Sequence, residues 1–225
     1  MLRAIVFDFD GVIANSEPLH YRAFRDVLGE SGITFQEKEY YDRYLGYDDL
    51  GVFKALAADR GLSWTVDRIV GLVRSKAGAI ERLEQNASIL FPGAAAAIRR
   101  AAARMPLAIA SGALGVEIRR VLDREGLTSC FKAIVAAEDT PVSKPAADPY
   151  RRALALLAEA VGAPFLPAEC VAVEDSPWGL ESAQAAGLHT VAVAHTYDRG
   201  ALDADLVISS LDELDVATIA RLCAA

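Results

Sequence analysis

With 225 residues, 53% of them hydrophobic and 24% charged, the chain is too apolar to be disordered and long enough to bury a substantial core, as one large α/β domain or two smaller ones. Its 23 basic and 31 acidic residues leave a net charge of −8. That balance excludes any overall attraction to nucleic acid or to an anionic membrane, so an anionic substrate must be met by locally gathered cations or by metal.

The first element is AIVF at 4–7, a short apolar run of strand type that leads into Asp8, Phe9, Asp10 and Gly11. A buried strand that ends on two carboxylates bears both their repulsion and their desolvation, a combination that calls for a bound partner. From about 15 to 88 the sequence offers helical patterns and no strand. Ser16 is expected to cap the first helix with Pro18 in its opening turn, and Leu19, Ala23, Phe24, Val27 and Leu28 fall on one face. A longer pattern runs through Val66, Ile69, Val70, Val73, Ala77 and Ile80. We expect an inserted helical domain over 15–88, with the rest of the fold formed by 1–14 and 89–225. Asn15 and the NASILFPG segment, Ala87 included, are the expected hinges.

Beyond the insertion, strands and helices alternate. AAAAIRRAAAR reads as a helix, followed by LAIA at 107–110, which exits into Ser111 and Gly112. Ile118, Val121 and Leu122 mark a helix that Gly126 stops. AIVA at 133–136 leads through a loop to Lys144-Pro145, and Tyr150, Ala153, Leu154, Leu157, Ala158 and Val161 share one helical face. VAV at 171–173 exits into Glu174 and Asp175, and Asp175-Ser176-Pro177 reads as a helix start. TVAV at 190–193 and LVIS at 206–209 complete the series. This order predicts an α/β fold with a Rossmann-like, mostly parallel sheet covered on both faces. Cys130, Cys170 and Cys223 are widely spaced and suit a reduced compartment. The opening apolar run is too short for a signal peptide and no stretch approaches a membrane span, so the expected location is the cytoplasm.

Ligands of open parallel sheets bind beyond the carboxyl ends of the strands. Four strand exits here carry Asp8 and Asp10, Ser111, Lys144, and Glu174 with Asp175. Singly, Ser111-Gly112 is an ordinary turn, Lys144-Pro145 a solvated loop and Asp175-Ser176-Pro177 a helix cap. Together they specify a chemistry. Clustered carboxylates without His or Cys select a hard cation, most simply Mg²⁺, which keeps coordination positions for water and a substrate phosphate. A serine hydroxyl, helix N-terminal amides and a lysine suit the remaining phosphate oxygens. One carboxylate is then free to attack phosphorus, and the other to move protons. Spacing alone does not rank Asp8 and Asp10 between these roles.

These motifs resemble the haloacid dehalogenase superfamily, in its helical-cap phosphatase and β-phosphoglucomutase-like branch. DFDGV, ASG with Ser111, SKPAADPY with Lys144 and VEDSPWGLESAQAAG are similar to its four ordered motifs, and the likeness spans essentially the whole chain. The resemblance implies that Asp8 is nucleophile and metal ligand, and that Asp10 is acid and base and binds metal through its carbonyl. It also implies that Ser111, Gly112 and Lys144 hold phosphate, while Glu174 and Asp175 complete a Mg²⁺ site. Ser143 and Ala147 stand where the third motif often has glycine and proline, and Asp10 argues against dehalogenation, whose enzymes lack it. Lys54 reads as an exposed helix lysine and not as an imine-forming amine.

The expected function is therefore a Mg²⁺-dependent phosphatase for a small phosphorylated metabolite. A sugar-phosphate mutase and a non-catalytic phosphate-binding module are the alternatives. Mutase relatives carry an arginine in the loop around Gly46, where this chain has Asp48 and Asp49. If that acid pair faces the cleft it disfavours bisphosphates; if it faces water it has no such effect. His20 and Lys76 are each open between a helix-surface and a catalytic role.

Overall fold

The computed structural model describes residues 1–45, 47–84 and 88–224. Ala87 and Gly46 therefore lie outside the described residues. The chain forms two compact units, Met1–Asn15 with Ile89–Ala225, and Ser16–Ser88.

The first unit is built on a parallel sheet of six strands among the described residues. They are β1 (Ala4–Phe7), β2 (Leu107–Ala110), β3 (Phe131–Val135), β4 (Cys170–Glu174), β5 (His189–Val193) and β6 (Leu206–Ile208). Their order is β3-β2-β1-β4-β5-β6, the doubly wound arrangement of a Rossmann-like α/β fold. Every residue of β1, β2 and β4 is buried, which explains why these strands read as unbroken apolar runs. In the register of the central strands, Val6 lies opposite Ala108 on one side and Ala172 on the other. Connections run outward from β1 in one direction, through β2 and β3, and then return to place β4 beside β1. The crevice between the β1 and β4 ends is the topological switch point, where such folds bind ligands.

The helices in chain order are α1 (Glu17–Gly29), α2 (Glu37–Arg43), α3 (Asp49–Asp59), α4 (Val66–Glu84), α5 (Ala94–Ala102), α6 (Gly115–Arg124), α7 (Asp148–Val161), α8 (Pro177–Ala185) and α9 (Val216–Ile219). None of them is long and apolar enough to cross a membrane. In α7, Tyr150, Ala153, Leu154 and Leu157 are buried against Val6, Ala108 and Val135 of the sheet core, while Val161 at the helix end is exposed. Gly162 then closes the helix at φ 74°.

The Ser16–Ser88 unit comprises α1 to α4 around Phe24, Phe53, Leu56, Ile69, Leu72 and Ile80. The rings of Phe24 and Phe53 meet edge to face at 5.2 Å. Two local expectations are corrected here. Ser16 occupies the N-cap of α1 with Pro18 in the first turn, but its side chain makes no capping bond, its backbone lying already in the right-handed helical region instead of the extended one that aims the hydroxyl at the first amides. The buried face of α4 is also offset from the expected one. Ile69, Leu72, Ala79 and Ile80 are buried together with Lys76, whereas Val66, Val70 and Ala77 are exposed. A lysine in the apolar stripe displaced the reading by one helical position.

Leu157→Ala tests the sheet core, because the residue is fully buried between helix and strands. The expected loss is about 2–5 kcal/mol of unfolding free energy, the range for emptying a close-packed site. Urea titration followed by circular dichroism measures it.

Candidate active site

The carboxyl ends of β1 and β4, with the loop that follows β3, bring four of the anticipated residues together. Asp8 follows β1, and its amide still donates to the Val173 carbonyl of β4 at 2.9 Å, which fixes where its side chain starts. Lys144 extends its ammonium to Asp8 Oδ1 at 2.7 Å and Glu174 Oε1 at 2.5 Å. Asp8, Glu174 and Asp175 each offer an oxygen within 4.8 Å of the others, and all three residues are buried.

The surroundings are as specific as the acids. Glu174 Oε1 accepts a second bond from the Tyr150 hydroxyl at 2.7 Å, while Oε2 accepts from the Asp175 amide and the Ser176 hydroxyl. Ser176 also caps α8 by accepting from the Gly179 amide at 3.2 Å, so the helix start and the acid site share a residue. Asp175 Oδ2 takes the Thr196 hydroxyl. At Gly11 the backbone has φ +78°, and an added Cβ would lie 2.0 Å from Asp175 Oδ2; only glycine permits both.

Burial drives the Asp8 carboxyl well above the ordinary carboxylate range, with Lys144 opposing and the other acids reinforcing. Asp175 is pushed up to about 7, first by burial and then by the Glu174 charge. Burial alone would lower Lys144, but Asp8 and Glu174 outweigh it and hold the ammonium above its usual value. Three acids facing one ammonium form a buried site short of positive charge. An all-oxygen donor set of this kind fits a hard divalent cation.

Asp10 is partly buried in the turn after Asp8, closed by the Gly11 amide donating to the Ala14 carbonyl at 2.9 Å. It is close enough to Asp175 to raise that acid's proton affinity, though it is not one of the three clustered acids. Ser111 is buried at the end of β2, the strand beside β1, and its hydroxyl accepts the Ala113 amide at 3.1 Å; Gly112 is exposed. The first amide of α6, at Gly115, is taken by the Glu138 carboxylate at 3.0 Å. Reasoning from sequence missed Tyr150, Ser176 and Thr196 as partners of the acids. A hydroxyl on the apolar face of α7 was a usable signal for Tyr150; the exit of β5 was the signal for Thr196.

Within the Ser16–Ser88 unit, the remaining anticipated residues form a cluster of their own. Lys76 is 2% exposed and contacts Asp49 Oδ1 at 2.6 Å and His20 Nδ1 at 2.8 Å. His20 is therefore neutral and accepts from the ammonium at Nδ1. Asp48 caps α3 by accepting the Gly51 amide at 2.6 Å. Asp48 is thus exposed to water at its cap, while the charge of the half-buried Asp49 is met by Lys76. Lys54 is exposed on α3.

Burial and the neighbouring Lys76 lower the proton affinity of His20 from the usual 6.5 to about 3. Below about pH 6.5 the unfolded chain binds a proton there that the folded chain refuses. This group's contribution is therefore full above that pH and is lost on acidification, by about 1.4 kcal/mol per pH unit, until the folded ring itself titrates. Stability measured from pH 7 to 4 should fall less steeply in His20→Gln than in the parent, and NMR of the parent should show a neutral His20 ring at pH 5.

A family model described as haloacid dehalogenase-like hydrolase matches residues 2–187. Protein CbbY of Rhodobacter capsulatus is 32% identical over 208 residues, covering 88% of each chain. Fructose-1-phosphate phosphatase YqaB of Escherichia coli is 28% identical, covering 84% of this chain and 95% of its own. Among solved structures, CbbY from Rhodobacter sphaeroides in complex with xylulose-(1,5)bisphosphate superposes with a TM-score of 0.80 at 27% identity, over 96% of this chain and 98% of that one.

Proposed function

Because the chain belongs to the haloacid dehalogenase-like hydrolase family, we propose that it is a Mg²⁺-dependent phosphatase of small phosphorylated metabolites, sugar phosphates foremost. The observation that carries this reading is the buried Asp8 carboxylate at the switch point, held 2.7 Å from the Lys144 ammonium and grouped with Glu174 and Asp175. A carboxylate so placed can receive a phosphoryl group, and the ammonium beside it can balance the charge that arrives. Fructose-1-phosphate phosphatase YqaB and the CbbY structure that holds xylulose bisphosphate, both similar to this chain, point to the substrate class.

Asp8, Glu174 and Asp175, with the Asp10 carbonyl, would hold Mg²⁺, which when bound supplies charge neutralisation for the substrate phosphate. Each Glu174 oxygen also accepts two protein donors, so the carboxylate that would hold the ion orients Lys144 as well. Ser111 and Lys144, with the exposed Gly112 backbone, bind phosphate oxygens. Asp8 attacks phosphorus, forming an acyl–phosphate bond as the ester P–O bond breaks. Asp10 gives its proton to the departing oxygen and then takes one from the water that splits the phosphoenzyme, which restores both acids. The Ser16–Ser88 unit is assigned the role of cap and of substrate choice. In this reading the protein is cytoplasmic and has neither nucleic-acid nor membrane partners.

The deciding assay measures inorganic phosphate released from a panel of hexose, pentose and hexitol monophosphates and a pentulose bisphosphate. We expect turnover that EDTA abolishes, Mg²⁺ restores and Ca²⁺ supports poorly. Full activity in metal-free buffer would overturn the metal role, and bisphosphate-primed isomerisation of a hexose 1-phosphate faster than phosphate release would make the protein a mutase.

The two aspartates should fail in different ways. Asp8→Asn is expected to show no phosphoenzyme in rapid-quench trapping. Asp10→Asn should retain one while turning over about 10²–10⁴-fold more slowly, the usual contribution of a positioned acid–base group.

A further inference from the structure

The exit of β5 carries no residue with a role in the chemistry described above, yet it reaches the acid site. Its short loop is held from several directions. The Ala194 amide donates to the Ile208 carbonyl at 2.9 Å, tying the loop to β6. His195 Nδ1 donates to the Gly11 carbonyl at 2.9 Å, and the His195 ring stacks on Phe91 at 3.8 Å. Tyr197 packs edge to face on Trp178 at 5.6 Å, in the first turn of α8. Thr196 stands between these anchors, and its hydroxyl donates to Asp175 Oδ2.

We infer that Thr196 is a positioning residue for the cation site, fixing the Asp175 carboxylate so that it meets a divalent ion in one orientation. The inference rests on the proposed cation site. Two features separate this role from simple loop support. The loop is anchored by Ala194, His195 and Tyr197 without the threonine hydroxyl, so the Thr196 bond is redundant for placing the backbone. The oxygen it holds, Oδ2, is also the one walled in by Gly11, where a Cβ would come within 2.0 Å. The carboxylate is thus confined on one side by backbone and on another by a hydroxyl donor. Hydrogen bonds to ligating carboxylates orient them, and losing one typically costs about 10–100-fold in metal affinity.

The same loop constrains the neighbourhood of Asp10. Through His195 it holds the Gly11 carbonyl in the turn that follows that aspartate. The β5 exit therefore braces two adjacent parts of the site from one short segment, and Thr196 is the member that touches a proposed ligand.

The experiment titrates the metal-free protein with Mn²⁺ and follows the free ion by electron paramagnetic resonance, with no substrate present. Thr196→Val keeps the shape and removes the donor; Thr196→Ser keeps the donor; Thr196→Ala serves as a second deletion should the valine variant fold poorly. Expected are a Kd weakened about 10–100-fold in the valine and alanine variants and restored to within about threefold by serine, at melting temperatures close to the parent. In turnover assays, the Mg²⁺ concentration for half-maximal rate should rise more than kcat falls. A Kd unchanged in both deletion variants, while the parent binds Mn²⁺, would overturn the role of Thr196 and leave the cation site standing. Absence of Mn²⁺ binding by the parent would overturn the cation site itself.

Discussion

A buried lysine between two carboxylates organises the sheet's active end. Asp8 and Glu174 leave neighbouring strands at the place where the winding of the sheet reverses, and without the Lys144 ammonium two anions would face each other in a space largely closed to water. The lysine arrives from a loop far along the chain, after β3, and lies over the Tyr150 ring at 5.2 Å. Tyr150 in turn gives its hydroxyl to the same Glu174 oxygen. Strand ends, loop and α7 therefore depend on one another through a single charge.

The helical unit repeats this device with different residues. Lys76 is buried against Asp49, takes the neutral His20 as a second acceptor and lies 4.8 Å over the Phe24 ring. In both units an ammonium is removed from water only where a carboxylate, a further acceptor and an aromatic face replace the lost solvation. The difference lies in what remains. Around Lys144 the acids Asp8, Glu174 and Asp175 are all buried, whereas Lys76 is paired with a partly exposed Asp49 and its charge also reaches Glu17.

These features were unequally legible in the sequence. The central strands were readable because a parallel sheet covered on both faces permits little but apolar residues, and its exits announced themselves by an abrupt change to acids. Asp8, Lys144, Glu174 and Asp175 converge because the fold class predicts which strand ends share an edge. The face of α4 was misread because hydrophobic periodicity treats lysine as a marker of solvent, and Lys76 is not in solvent. Asp48 and Asp49 looked alike, but one ends its reach at the helix cap and the other at a lysine 27 residues away. Such pairings require the packed helices to be known first. Tyr150 and Thr196 were hidden for the same reason, each meeting its acid across more than 20 residues of chain.

The two passages between the units also bear on how such a protein can change over time. The Asn15 amide donates to the Ile89 carbonyl at 2.7 Å, Ala14 pairs with Leu90 in an antiparallel bridge, and the Phe91 amide reaches the Ile13 carbonyl at 3.0 Å. The outgoing and returning chains are therefore stitched side by side within the sheet unit, so that unit sees the insertion as little more than a long hairpin loop. Its closure entropy grows only with the logarithm of the inserted length, so a longer, shorter or unrelated segment could be grafted between the same two stitches at small cost to the sheet. The architecture thus behaves as a socket: the acid-bearing edge can remain fixed while successive descendants exchange the module plugged into it.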